Sequence, residues 1–157
     1  MRKQLLRGLT GLSLILVLAL ASAVSAAKPQ ASIKVVANIP FEFSLGYKTM
    51  PAGEYSVQAM TDGNGLLIQS SDGKTSAIRL SNAVESTKTQ SHARLVFHRY
   101  GERYFLAEVW NGSDTTGREL LRSQEEKNIE SELASNSAKD ESAKTTYETV
   151  EVIAALR

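Results

Sequence analysis

His98, Arg99, Tyr104, Glu108 and Trp110 fall in one short stretch and are the side chains of types that could bind or transform a ligand. An imidazole can act as a general base or a metal ligand, and a guanidinium beside aromatic rings can grip a sugar, a carboxylate or a peptide. A carboxylate such as Glu108 can move a proton, but glycosidase chemistry needs two carboxyl groups about 5 to 9.5 Å apart. Glu42 and Glu54 are candidate partners that no spacing brings near Glu108. The chain has only two histidines, and His92 lies too far before His98 to make a usual ligand pair. A metal needs three or four convergent ligands, so His98 is expected to sit half-packed against Phe105 at the sheet surface.

Other chemistries are set aside by what is missing. With no cysteine there is no thiolate nucleophile, disulfide framework or Cys-ligated metal. No G-x-S-x-G elbow occurs, and Gly63-Asn64-Gly65 lacks the third glycine and following helix of a dinucleotide site. No cofactor motif is found. Asp62-Gly63-Asn64-Gly65 reads as a hairpin turn, because calcium needs six or more oxygens. Asn111-Gly112-Ser113 matches a glycosylation triplet and reads more simply as a turn after Trp110.

The elements that must position these residues are strands. From Ser32 to Trp110 the chain alternates apolar and polar residues in short runs broken by turn residues, the pattern of an antiparallel β-sandwich or small barrel. Ser32 to Ala37 is the first strand, Phe41 to Leu45 alternates, and Pro40 between them marks a bend. Met50-Pro51-Ala52-Gly53 is a turn opening into Glu54 to Met60, with Tyr55, Val57 and Ala59 inward. Leu66 to Gln69, an Asp72-Gly73 turn, and Thr75 to Leu80 complete a meander. Gly101-Glu102 is a type II′ turn joining Arg94–Tyr100 to Arg103–Trp110, because Gly is required at its first central position. The register then pairs His98 with Phe105, Phe97 with Leu106, Val96 with Ala107 and Leu95 with Glu108, which puts Arg99, Tyr104, Glu108 and Trp110 on one face. That face is the candidate binding site.

After Asn111 the composition turns to Glu, Lys, Ser, Ala and Asn. Gly117 to Ala134 reads as a polar helix with a thin apolar stripe of Leu121, Ile129 and Leu133. It either docks a partner or lies on its own sheet, and the second is the simpler reading. Ser135 to Thr146 has little to bury and reads as a continuation or linker, and Tyr147 to Leu156 as a final strand. The expected organisation is thus 1–26 signal peptide, 27–116 β-domain, 117–146 polar helix and linker, and 147–157 final strand.

The signal reading rests on Arg2, Lys3 and Arg7 before the apolar run Leu12 to Leu20 and the small residues Ala21 to Ala26. The run is short for a spanning helix, so cleavage after Ala26 is expected, with release to the periplasm or the medium and no stable membrane span. Of the 157 residues this leaves 131. Of the 18 basic and 17 acidic residues it removes three basic ones, leaving 15 against 17. A weakly acidic domain lacks the field that draws proteins to phosphate backbones, so nucleic acid is not an expected partner. An envelope protein or a small-molecule ligand is.

Asn38-Ile39-Pro40-Phe41-Glu42-Phe43, then Met50-Pro51-Ala52-Gly53-Glu54-Tyr55, then Val96-Phe97-His98-Arg99-Tyr100-Gly101 with Arg103-Tyr104-Phe105-Leu106 and Trp110 resemble a group of small exported bacterial proteins of uncharacterised function. Their pattern runs N-I-P-F-x-F, L-P-A-G-E-Y, V-F-H-R-Y-G and R-Y-F-L. The resemblance covers about Asn38 to Glu119 and departs at Met50, where Leu is usual. It implies an exported β-domain and carries over no site residue.

These readings lead to an exported, non-enzymatic binding or structural module. One alternative is a periplasmic carrier of a small apolar or sugar ligand, with a pocket lined by Phe41, Phe43, Phe97 and Trp110. The other is a hydrolase using Glu108 or His98.

Overall fold

The computed structural model describes residues 34–60, 63–88, 91–113, 115–137 and 147–157. The expected signal peptide, Asp62 of the glycine-rich turn and residues 138–146 of the expected linker lie outside them. The described strands are β1 (Lys34–Ile39), β2 (Phe43–Leu45), β3 (Lys48–Met50), β4 (Gly53–Ala59), β5 (Gly65–Ser70), β6 (Ser76–Glu85), β7 (Arg94–Tyr100), β8 (Arg103–Trp110), β9 (Thr116–Leu120), β10 (Glu148–Ile153) and β11 (Ala155–Leu156), with one helix, α1 (Gln124–Ser137). The protein is mainly β, as its alternating pattern requires.

Strand alternation builds the core. Val35, Ala37 and Ile39 of β1, Tyr55 and Val57 of β4, Leu66 and Ile68 of β5, and Leu95 and Phe97 of β7 all turn inward and are buried. Phe43 meets Tyr55 and Phe97 edge-to-face, with centroids at 5.2 and 5.5 Å. The Met50–Gly53 corner is tied down by the Tyr55 hydroxyl, which donates to the Pro51 carbonyl at 2.7 Å. Burial, then the nearby Asp72 carboxylate, pushes the Tyr55 phenol above its ordinary pKa.

One strand serves two sheets. Residues 76–80 of β6 pair with β5 and residues 81–85 pair with β9, so β6 leaves the β1-β4-β5 sheet and enters the β7-β8-β9 sheet. The C-terminal run bridges the other side. β10 pairs with β7, the Ala154 amide donates to the Ala93 carbonyl at 2.8 Å, and β11 pairs with β1. The strand order runs β10-β7-β8-β9-β6-β5-β4-β1-β11, and among the described residues the ladder does not close on itself. Two sheets sharing a corner strand, with their free edges spanned by one terminal segment, describe the architecture.

Two expected features are corrected. The β7–β8 turn is as read, with Gly101 at φ 63° and Tyr100 opposite Arg103, but a bulge at Ala107 shifts the register beyond Phe97. Val96 therefore faces Glu108, Leu95 faces Val109 and Arg94 faces Trp110. The segment at 117–120 is strand rather than helix. Its Gly117 lies against the Trp110 ring so closely that a Cβ would stand 2.6 Å from ring carbons, and the second half of β6 supplies the edge it pairs with. The helix begins only at Gln124. Smaller differences are the β2–β3 hairpin and the continuation of β6 to Glu85.

Candidate functional site

The bulge divides the four residues expected to share a face. Arg99 and Tyr104 stay together opposite one another on the side of the core residues, with the guanidinium carbon 5.6 Å from the ring centroid. Tyr104 stacks on Phe41 at 3.9 Å, while Arg99 donates to the Gly101 carbonyl at 2.7 Å and to Glu148 at 3.1 Å. Glu108 and Trp110 lie past the bulge on the opposite side. There the indole N–H donates to the Glu108 carboxylate at 2.7 Å, Arg94 lies 5.5 Å above the ring, and Gly117 packs beneath it. Glu108 is thus occupied in orienting an indole. Glu54 accepts from Ser71 Oγ in the other sheet, at 2.6 Å.

His98 has a partner the spacing argument did not find. It points away from the core, yet it is only 8% exposed, and Glu126 in the first turn of α1 is 4% exposed. His98 Nδ1 lies 2.7 Å from Glu126 Oε1. The bond runs from the imidazole Nδ1–H to the carboxylate oxygen, which accepts. The Tyr100 hydroxyl donates to the same oxygen at 3.4 Å. Burial, followed by the Glu126 and Glu130 carboxylates, keeps this phenol neutral and raises its pKa well above the tyrosine range.

α1 is placed by its cap and by charge. Ser123 Oγ accepts the Glu126 amide at 3.1 Å, the N-cap geometry of an S-x-x-E sequence. Glu125 pairs with Arg103, whose guanidinium lies 5.5 Å from the Phe105 ring centroid. Glu130 pairs with Arg122 at 2.6 Å, and that bond raises the Arg122 pKa further. Arg122 also lies 5.3 Å from the Tyr147 ring centroid, and Tyr147 covers His98 at 4.0 Å. By contrast Leu133 is 38% exposed and Leu121 47%, so the expected apolar stripe does little of the holding.

Beside Glu126, a cleft bordered by Ser44, Arg79, Phe105 and Ser123 holds about 10 Å³, room for one water. His92 stands apart, exposed and 2.8 Å from Ser91 Oγ. Among the described residues no three His, Asp or Glu side chains are grouped as a metal site, and no helix is long and apolar enough to cross a membrane. Glu126, Arg122 and Tyr147 are the residues sequence reasoning missed. The Ser123-Gln124-Glu125-Glu126 capping pattern was the available signal for the helix start.

No family model matches the chain, and neither a curated protein nor a solved structure matches it.

Proposed function

We propose that the protein is an exported, non-enzymatic binding or structural module working in the periplasm or outside the cell. The observation that carries this reading is how the reactive side chains are used. His98 is bonded to Glu126, Glu108 to the Trp110 indole, and Arg99 to Glu148 and the Gly101 carbonyl. Groups committed to the fold in this way favour recognition at the surface over chemistry in a pocket. The rings named for the carrier alternative pack on one another, with Phe41 5.2 Å from Phe97 and Trp110 on the opposite side of its sheet. On the outer side of the first sheet Ile78 and Leu80 are 59% and 60% exposed, a surface suited to contact.

In-cell crosslinking of the tagged full chain, with mass spectrometry of what co-purifies from envelope and medium, tests the reading. One near-stoichiometric protein partner is the expected result. Recovery of uncrosslinked monomer alone would count against it and favour a small-molecule ligand.

A further inference from the structure

The contacts of α1 are asymmetric in charge. Its side supplies carboxylates, Glu125, Glu126 and Glu130, and each meets a basic group from outside the helix, Arg103, His98 and Arg122 respectively. Those three groups rest on aromatic rings: Arg103 on Phe105, Arg122 and His98 on Tyr147. Tyr100 adds a hydroxyl donor to the Glu126 carboxylate. A basic and aromatic face on β7, β8 and the segments around α1 is therefore filled by the chain's own acidic helix. The second half of that helix, 131–135, is exposed throughout.

We infer that this face is a docking surface for an acidic helix of a partner protein, and that α1 occupies it in cis until displaced. The inference gives a surface and a partner class to the binding module proposed above, and it rests on that reading. Charge complementarity selects the occupant. A partner helix with carboxylates spaced as in Glu125, Glu126 and Glu130 repeats the contacts α1 makes, whereas a basic or neutral segment would leave Arg103 and Arg122 without counter-charges. Exchange keeps what lies beneath α1 out of water, because an incoming helix of the same carboxylate spacing would close over His98, Tyr100 and Phe105 again.

The test uses the full chain and a labelled peptide with the sequence of residues 123–137. In a variant carrying Glu125→Gln, Glu126→Gln and Glu130→Gln, the cis carboxylates are neutralised at nearly constant shape. Peptide binding to this variant should be at least tenfold tighter than to the unaltered chain. Adding Arg103→Gln and Arg122→Gln should weaken it at least tenfold, and raising the salt should weaken it too. Equal binding to the unaltered and triple variants, or binding indifferent to the arginines, would overturn the proposal. If the triple variant does not fold, Glu126→Gln alone takes its place with the same two readings. Because the probe is a defined peptide, its failure removes this surface only, and crosslinking still judges the binding module itself.

Discussion

The two sides of the β7–β8 hairpin are held by different physics. Toward the core, Leu95, Phe97, Leu106 and Val109 meet apolar neighbours from the facing sheet, and complementary shape does the work. Away from it, His98 and Tyr100 are as well buried, but beneath a helix that binds them through a carboxylate. Burial by packing tolerates changes that keep volume. Burial through a hydrogen bond fails when one partner is removed, because the other polar group stays behind out of water without it.

Phe97→Ala should give the largest loss, about 4 kcal/mol, because Phe41 and Phe43 cannot close over the space of a ring they pack against. Denaturant melting measures it, and a loss below about 2 kcal/mol would show that the core collapses to refill the gap. Glu126→Leu should come next, at about 2 kcal/mol, by leaving the buried His98 Nδ1–H without its acceptor. The double change with His98→Leu should recover most of that loss. If the double variant is no better than the single one, the pair does not work as a unit and the contrast between the two sides fails.

Ser123→Ala should lower stability by about 1 kcal/mol through loss of the N-cap, with helical circular dichroism reduced before the sheet signal changes. The smallest effect at neutral pH is expected for Tyr100→Phe, under about 1 kcal/mol, since its hydrogen bond is long. Alkaline titration separates this residue from the rest. The fold raises the pKa of Tyr100 and of Tyr55, so the folded state keeps protons that the unfolded chain loses above about pH 10. Stability is therefore complete below that pH and falls as pH rises through it. Tyr100→Phe should flatten this fall, and an unchanged slope would assign it to Tyr55.

Residues whose meaning is local were readable in advance. Gly101 announced its turn because one backbone conformation demanded glycine, and the alternation of Glu54 to Ala59 announced which side chains face inward. The bulge at Ala107 has no such marker, since Ala107 and Glu108 fit a regular strand equally well, and strict alternation carries Arg99, Tyr104, Glu108 and Trp110 onto one face across it. Gly117-Arg118-Glu119-Leu120 resembles a helix start by composition. It becomes a strand because β6 turns a corner and offers an edge, which only the assembled sheets reveal. The His98–Glu126 contact joins residues 28 positions apart, beyond the reach of periodicity.

The run through β10 and β11 gives the fold a timetable. Val35 and Val36 wait for Ala155 and Leu156, so the earliest described strand obtains its second neighbour only after every other strand has been synthesised. Contacts this far apart in sequence form slowly. A nascent chain therefore stays an open sheet with β1 and β7 each lacking a neighbour, and it becomes resistant to unfolding only when its last strands arrive to pair with them.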